Sequence, residues 1–394
     1  MEAEWKPLGE VVKGRCGKRL VKSQLADSGD FAVFQNSMKP LGYYHESNVS
    51  PGSAFIICGG AAGEIGYSDF PFWAADDVYY FLPPERVLSK YLYYWLLTQR
   101  DKITAQVRRA SVPRLSKVFI DRFSFPIPCP DNPEKSLAIQ NEIVRILDKF
   151  TELTAELTAE LTAELTVRKK QYKYYREKLL TFGEDVLWVP ISEVFHLKNG
   201  YTPSRAKQEF WEDGTVPWFR MDDIRQNGHI LGHSLQKISK SAIKGGKLFP
   251  ANSLIFATSA TVGKHALISV PYLSNQRFTN LSVKEKYRDT FADRFLFYYG
   301  FLISDWCKKN TKKSSFPSVN MNGFRKFKIP IPYPDNPERS LAEQARIVAI
   351  LDKFDALTIS LTDGLSREIE LSQKQYEYYR DLLLNFPKPE KDAA

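Results

Sequence analysis

Basic and amide side chains occur together around several predicted loops of this 394-residue chain. Lysine and arginine can hold phosphate groups, whereas arginine, asparagine and glutamine can also contact base edges. Lys and Arg total 55 against 46 Asp and Glu, a formal charge of +9 that favours a polyanionic partner. For any single one of these residues, the alternative is an ordinary solvated surface position. The candidate basic residues are Arg15, Lys18, Arg19, Lys22, Arg108, Arg109, Arg114 and Lys117 in the N-terminal half, and Arg205, Lys207, Arg220, Arg225, Lys264, Arg277, Lys312, Lys313 and Arg325 in the C-terminal half.

Motifs that usually mark a catalytic centre are incomplete in this sequence. The glycine-rich runs GGAAGEIG and SATVGKH lack the G-x-x-x-x-G-K-[ST] order of a P-loop, and no predicted strand leads into G-x-G-x-x-G. Asp131, Glu134 and Lys135 resemble a nuclease carboxylate–lysine set, but their spacing is too tight to surround one metal ion, and helix capping explains them. PDNP has a different order from the Asn/Asp-Pro-Pro-aromatic loop of an amino-methyltransferase. We therefore predict no catalytic residue.

Neither the histidines nor the cysteines predict a metal site. His229 and His233 have the spacing of a helical metal pair, but the glycines of GHILGH predict a turn instead. The four cysteines are far apart along the chain and form neither a zinc-knuckle nor a disulfide pattern. They are Cys16, Cys58, Cys129 and Cys307. We expect buried thiols in a cytoplasmic protein, and no apolar run is long enough to cross a membrane.

The elements that must position the basic loops occur twice along the chain. Residues 123–182 and 327–386 align without gaps at an offset of 204, with 35 of 60 positions identical. The two repeated segments alternate with two dissimilar domains. This pattern indicates that the repeated segments perform the same task and that the variable domains perform related but different tasks. The predicted parts are a first variable domain (1–122), a first conserved segment (123–186), a second variable domain (187–326) and a second conserved segment (327–394).

Each conserved segment predicts one long helix. Asn132 and Pro133 supply an N-cap and a first helical residue, and Asn336 with Pro337 repeats this start. About 50 residues at ~1.5 Å each would form a rod of roughly 75 Å. The apolar stripe of each rod matches that of its twin, which predicts an antiparallel coiled coil; the alternative is that each helix packs on its own domain. The predicted packing residues are Ile146, Phe150, Leu153, Leu157, Leu161, Leu165, Ile350, Phe354, Leu357 and Leu361.

Three identical tetrapeptides, TAELTAELTAEL, lie within the first of these helices from Thr154 onward. Four residues turn an α-helix by about 400°, so one added unit lengthens the helix by ~6 Å and rotates it by only ~40°. Each unit supplies a core leucine, strong helix formers and an exposed carboxylate. We interpret the run as an adjustable spacer. The alternative is replication slippage that an exposed helix tolerates.

The variable domains predict short strands and turns with one or two helices each. PGSAFIICGGAAGEIGY predicts a strand, a glycine-rich turn and a strand. YLYYWLLTQRDKI and RFLFYYGFLISDWCKK predict amphipathic helices near the domain ends. The expected fold is therefore α+β, with two globular domains separated by two long helices and related by a pseudo-twofold internal repeat.

The duplicated motifs resemble those of the specificity subunits of type I restriction–modification systems, most closely the type IC branch. The resemblance is carried by PIPxPDNPExSLAxQ, ILDKF, the TAEL run and the KQYxYYRxxLL endings, and it covers residues 5–386. The run GYTPS from Gly200, followed by FW and PW, is similar to a frequent motif of the family's target-recognition domains. It adds Thr202 and Ser204 to the candidate DNA contacts. The first variable domain departs from this motif.

The resemblance implies a non-catalytic DNA specificity subunit that acts in host defence against foreign DNA in the bacterial or archaeal cytoplasm. In this family each target-recognition domain reads one half of a bipartite asymmetric site in double-stranded DNA, and the helices set the spacing. The helices also dock two modification subunits, which use S-adenosylmethionine to methylate adenine. Restriction subunits, which use ATP and Mg²⁺, join to translocate and cleave DNA. The chain itself is expected to bind no cofactor.

Two other hypotheses compete with this one. A fused restriction–methylation enzyme would need the methyltransferase and nuclease motifs that the sequence lacks. A coiled-coil scaffold whose end domains bind proteins would not show salt-dependent, sequence-selective DNA binding.

Overall fold

The computed structural model describes residues 2–109, 111–183, 186–312 and 317–388. The chain folds into two compact units, and the segment that forms the second unit lies between the two segments that form the first. Met1–Ala163 and Leu365–Ala394 form the first unit, and Glu164–Gly364 form the second. No helix in the described part of the chain is long and apolar enough to span a membrane.

The first unit contains two small sheets and a two-stranded ribbon. Its strands are β1 (Ala3–Pro7), β2 (Lys13–Cys16), β3 (Phe31–Phe34), β4 (Gly42–Tyr44), β5 (Ser53–Ile57), β6 (Ile65–Ser68), β7 (Trp73–Ala74), β8 (Val78–Leu82) and β9 (Ser124–Pro128). Its helices are α1 (Leu8–Val11), α2 (Ser89–Thr98), α3 (Arg100–Ala105), α4 (Lys117–Asp121) and the start of α5 (Pro133–Leu179). The sheet orders are β2-β8-β5-β6 and β4-β3-β7, and β1 pairs with β9.

The second unit repeats this plan with additions. Its strands are β10 (Val186–Pro190), β11 (Phe195–Asn199), β12 (Val216–Phe219), β13 (Ile230–Leu231), β14 (Lys237–Ile238), β15 (Ser253–Ala257), β16 (His265–Ile268), β17 (Leu273–Ser274), β18 (Phe278–Val283), β19 (Thr311–Lys312), β20 (Ser318–Val319) and β21 (Lys328–Pro332). Its helices are α6 (Ile191–Val194), α7 (Met221–Asn227), α8 (Asp293–Lys309), α9 (Met321–Lys326) and the start of α10 (Pro337–Leu383). The sheet orders are β11-β18-β15-β16-β13, β14-β12-β17, β19-β20 and β10-β21.

Strand β5 contributes side chains to two hydrophobic cores, one on each face of its sheet. Side chains alternate between the two faces of a strand. Ala54 and Ile56 face the core that contains helix α2 and its buried Trp95, whereas Phe55 and Ile57 belong to the core on the other face. The predicted strand–turn–strand and the predicted helices of both domains are therefore confirmed, and each larger sheet is covered by a helix on one face.

Both long helices start as the sequence predicts. The Asn132 side chain accepts a hydrogen bond from the Lys135 backbone N–H at 3.0 Å, and Asn336 accepts one from Arg339 at 3.0 Å. These side chains satisfy backbone donors that have no partner within the helix. Each helix then runs for 47 residues.

Segments of the two long helices run antiparallel within each unit. In the first unit, Phe150 stacks on Tyr379 with ring centroids 5.4 Å apart. In the second unit, Phe354 stacks on Tyr175 at 5.6 Å. Phe354 is the equivalent of Phe150 and Tyr175 is the equivalent of Tyr379, each at the offset of 204. The same aromatic contact therefore occurs in both units, with the two long helices in exchanged roles. The antiparallel pairing and the internal repeat are confirmed.

The first half of each long helix also packs on the domain that precedes it. Asp148 accepts hydrogen bonds from Lys90 at 2.9 Å and from Tyr94 at 2.6 Å. In the second unit, Asp352 receives equivalent bonds from Arg294 and Tyr298. The alternative of local packing is therefore partly correct, because the N-terminal part of each long helix packs on the domain that precedes it.

The apolar stripe is less continuous than the sequence predicts. Leu161 is buried, whereas Leu153, Leu357 and Leu361 are 49%, 60% and 41% exposed. A strict four-residue spacing advances by about 40° per step, so the leucines of the TAEL run do not all face one line on the partner helix. The remaining predicted packing residues are partly buried: Ile146, Phe150, Leu157, Leu165, Ile350 and Phe354.

Candidate nucleic-acid interface

In the first unit, the loop that carries three candidate arginines lies against the turn between β5 and β6. Arg108 and Arg114 exchange backbone hydrogen bonds of 2.9 and 3.1 Å, which close this loop, and Arg109 lies exposed within it. The Leu115 backbone N–H donates to the carbonyl of Cys58 at 2.9 Å. Arg114 forms an ion pair with Asp77. The loop and the glycine-rich turn therefore form one continuous surface.

The end of β2 reaches the same surface. The Lys117 amino group lies 2.7 Å from the thiol of Cys16, next to Arg15 in β2. The Lys18 backbone N–H donates to the carbonyl of Ala74 at 2.9 Å. Arg19 and Lys22 follow as exposed residues, and among the described residues no side-chain contact links them to this surface.

The cysteines differ from the expectation of buried thiols. Cys16 is exposed and Cys129 is half-buried, whereas Cys58 and Cys307 are buried. Burial raises the pKa of Cys58 to about 12, although Lys117 nearby lowers it. Cys16 is exposed because it lies at the end of the edge strand β2, where its thiol faces Lys117.

In the second unit, the GYTPS segment is fixed by Tyr201. Its hydroxyl donates to the carbonyl of Ala242 at 3.1 Å and accepts from the Lys244 backbone N–H at 2.8 Å. The preceding Gly200 is required by space, since an added Cβ would lie 2.2 Å from the carbonyl oxygen of Ser274. This segment is therefore held against two other loops before any ligand binds.

Two tryptophans extend this scaffold. Trp218 donates from its indole to the carbonyl of Tyr201, and Trp211 donates to that of Ser204, each at 3.0 Å. The two indoles pack edge to face at 5.1 Å. The Arg220 guanidinium lies 5.5 Å from the Trp218 ring centroid. An arginine against an indole presents a flat, cationic surface suited to stacking and bidentate hydrogen bonding.

Trp211 and Arg220 line an open cavity of about 400 Å³. Arginine and glutamine are the side chains that contact guanine and adenine edges most effectively. The arrangement can thus hold phosphates and read bases. The lining residues are Arg205, Gln208, Trp211, Arg220 and Gln236. Gln208 and Gln236 are not among the residues predicted from sequence, because they converge from separate loops without any local signal.

The other candidates of the second unit have their own surroundings. The Thr202 hydroxyl donates to the Gln276 side chain, and Ser204 is exposed. Lys207 lies 3.8 Å from Glu209, and Arg225 lies 3.2 Å from Asp222. Arg277, Lys312 and Arg325 are exposed on other elements, Lys264 lines a separate cavity, and Lys313 lies outside the described residues.

Equivalent loops of the two units carry different side chains. Gly59 bridges to Arg114 in the first unit, and Ser259 bridges to Ser318 in the second. Asp77 and Arg277 immediately precede the equivalent strands β8 and β18. The two units therefore share a scaffold, but their equivalent loops carry different charged and hydrogen-bonding side chains.

His229 and His265 form a structural pair next to β13 and β16. The imidazole Nδ1 of His229 lies 2.7 Å from the carbonyl oxygen of His265. His265 is buried and lies 3.0 Å from the carbonyl of Phe297 and 2.8 Å from the Ser304 hydroxyl. Within the described ranges, no three His, Cys, Asp or Glu side chains gather as metal ligands.

The family model of the type I restriction modification DNA specificity domain matches residues 2–167 and 183–371. The chain belongs to this family. The two matched segments fit two target-recognition domains, which agrees with the repeated topology of the units. The predicted family membership is confirmed.

Similar proteins agree with this membership. The chain is 40% identical over 411 residues to the type I restriction enzyme EcoR124I/EcoR124II specificity subunit of Escherichia coli, covering 99% of this chain and 96% of that protein. It is 62% identical over 219 residues to the EcoprrI specificity subunit of Escherichia coli, covering 56% of this chain and 54% of that protein. A solved chain from a study of type I R-M complex assembly has a TM-score of 0.71 at 15% identity, covering 97% of each chain, which shows a shared fold.

Proposed function

We propose that this specificity-domain protein is a non-catalytic subunit that reads a bipartite, asymmetric site in double-stranded DNA. One observation carries the proposal: two units of one topology present different charged and amide groups on equivalent loops. Shared scaffolds place two readers in the same manner, and different side chains give them different base preferences. A protein that recognised a symmetric site would have no use for this difference.

The long helices supply the remaining parts of the proposal. The TAEL run, residues 154–165, spans the point at which the chain passes from the first unit to the second. We assign to it the spacing between half-sites, because ~6 Å per tetrapeptide is one to two base-pair rises of ~3.4 Å. We also assign to the helices the docking of two modification subunits. Large exposed side chains such as Val167, Ile359 and Leu371 are suited to protein contacts.

The cofactors of the reaction belong, in this proposal, to the partners. S-adenosylmethionine would be bound by the modification subunits for adenine methylation, and ATP with Mg²⁺ by the restriction subunits for translocation and cleavage. The chain would work in the cytoplasm and contribute only recognition. Methyl transfer by the purified chain alone would instead support a fused enzyme.

The proposal is tested by replacing Arg220, which lines the cavity of the second unit. Arg220→Ala, assembled with the modification subunits, should weaken binding to the cognate duplex by about 5- to 150-fold, the effect of ~1–3 kcal/mol per base contact. Fluorescence anisotropy at fixed salt concentration measures this change. Arg288→Ala removes an exposed arginine that is paired with Glu285 and should leave affinity unchanged. Equal affinity of Arg220→Ala and the parent protein for DNA would contradict a reading role for this cavity.

A further inference from the structure

A second cavity of the second unit, of about 240 Å³, lies between helix α8, the turn between β15 and β16, and the end of α5. Four of its lining side chains are cations and one is a carboxylate. The lining residues are Lys173, Arg176, His229, Gly263, Lys264, His265, Phe301, Ser304, Asp305 and Lys308. The predicted candidate Lys264 is therefore grouped with residues from a long helix, rather than with the cavity that contains Arg220.

The single carboxylate of this cavity is already paired. Asp305 lies 2.9 Å from the Lys308 amino group and 3.7 Å from that of Lys173. Lys264 is exposed, and within the described residues no carboxylate lies at ion-pair distance from it or from Arg176. The lining therefore carries a net positive charge, which Asp305 compensates only in part.

Arg176 is the unusual member of the group. It is only 8% exposed, and its Nε atom has no hydrogen-bond partner among the described residues. The guanidinium lies 4.0 Å from the ring centroid of Phe301 and 5.3 Å from that of Tyr172. Burial of a charged donor without an anion is costly, and aromatic stacking does not satisfy an N–H group.

The first unit shows what such an arginine requires. Its equivalent is Arg380, at the offset of 204, and the Nε atom of Arg380 donates to Asp381 at 2.9 Å. The residue equivalent to Asp381 is Glu177, which instead lies 3.6 Å from Lys173. The first unit therefore gives this arginine a direct carboxylate partner. In the second unit Asp305 and Asp355 act on the surroundings of Arg176, but no carboxylate of the described residues bonds it directly.

The other cations of the cavity are also absent from the first unit. Lys264 corresponds to Glu64 and Lys308 corresponds to Thr104, since Gly63 approaches Thr104 in the way that Gly263 approaches Lys308. Lys173 corresponds to Glu377. Three positions that are neutral or acidic in one unit have become basic in the other, and all three surround the buried arginine.

We propose that this cavity binds a phosphate group, with Arg176 as the buried donor and Lys264 and Lys308 as the surface cations. Four cations against one paired carboxylate give the charge, and guanidinium and ammonium groups are the usual donors to phosphate oxygens. The group is either free phosphate or a phosphodiester of the nucleic-acid backbone. The inference goes beyond the proposed base reading, because phosphate binding here does not involve the cavity lined by Arg220.

The first experiment uses inorganic phosphate and the full-length chain. Phosphate should raise the Tm by about 2–6 °C above that in chloride of the same ionic strength, since a bound ligand stabilises only the folded state. Lys264→Glu and Lys308→Thr, which introduce the residues of the first unit, should abolish this difference and retain the Tm in chloride. Lys309→Thr removes a neighbouring exposed lysine that does not line the cavity, and it should retain the difference.

The second experiment identifies the source of the phosphate. The slope of log Kobs against log salt is measured for a duplex, and the loss of one backbone contact should reduce it by about 0.9. A reduced slope in Lys264→Glu and Lys308→Thr assigns the site to the DNA backbone, whereas an unchanged slope with a phosphate-dependent Tm assigns it to free phosphate. If neither the Tm difference nor the slope responds, the inference is overturned. Affinity for the cognate duplex, measured separately with Arg220→Ala, then still tests the proposed function.

Discussion

At the scale of single residues, the cavity lined by Arg220 depends on one buried carboxylate. Asp223 is fully buried and accepts backbone hydrogen bonds from Arg220 and Leu235, each at 2.6 Å. It thereby ties the start of α7 to the loop that carries Gln236. A charged acceptor between two backbone donors is strong and directional, so it fixes the loops on which the lining side chains stand.

His265 is a second buried polar residue with a consequence for stability. Its ring lies between the carbonyl of Phe297 and the hydroxyl of Ser304. Burial, with a smaller contribution from His229, lowers the pKa of His265 to about 3. An unfolded histidine has a pKa near ~6.5, so the unfolded state takes up the proton first as the pH falls.

We therefore expect the free energy of unfolding to decrease as the pH falls from 7 to 5. The decrease should approach about 1.4 kcal/mol per pH unit for each histidine that remains neutral in the folded state. Urea unfolding at several pH values measures it. His265→Ile, which introduces the residue found at the equivalent Ile65, should flatten this dependence. His233→Ala, at an exposed position, should retain it, and an identical slope in His265→Ile would contradict the assignment.

At the scale of elements, the long helices differ from each other in their central turns. Gly364 lies inside α10, where an added Cβ would meet no described atom within 4 Å beyond the adjacent backbone of its own helix. A glycine inside a helix costs about 0.8–1 kcal/mol relative to alanine, because it fixes a more flexible backbone. The first helix carries Glu160 of the TAEL run at the equivalent position.

Gly364→Ala should therefore raise the free energy of unfolding by roughly 0.5–1 kcal/mol. The reverse change at an exposed position of the same helix, Ala356→Gly, should lower it by a similar amount. Urea denaturation of the two variants and the parent chain measures both effects. A destabilising Gly364→Ala would show that the helix is not continuous at this turn.

At the scale of the whole molecule, the proposed function gives the TAEL run control over the distance between two DNA half-sites. Deleting one unit removes ~6 Å of helix with ~40° of rotation. The preferred spacer between the two half-sites should become shorter by one or two base pairs, while both half-sites stay the same. Methylome sequencing of cells that express the variant with its modification subunits detects this change. Altered half-sites, or an unaltered spacer, would contradict the spacer role.

The pattern of the sequence was sufficient for the architecture. Helix starts at Asn132 and Asn336, the duplication and the antiparallel pairing all follow from local capping and from apolar periodicity, which depend on short stretches of chain. The four-residue leucine spacing was less informative. It predicted Leu357 as a packing residue, yet the drift of 40° per step turns such positions out of the seam.

The tertiary structure alone decided which charged residues lie together. Arg220 and Gln236 line one cavity from separate loops, and Lys264 joins Arg176 from a long helix some ninety residues away. Neither grouping has a signal in sequence, because a charged surface side chain is compatible with almost any local structure. The sequence by itself determined the duplicated scaffold and its family, since repeated apolar and capping patterns specify helices and strands. Folding decided the sites, since side chains distant along the chain acquire a shared environment only when the backbone brings their loops together.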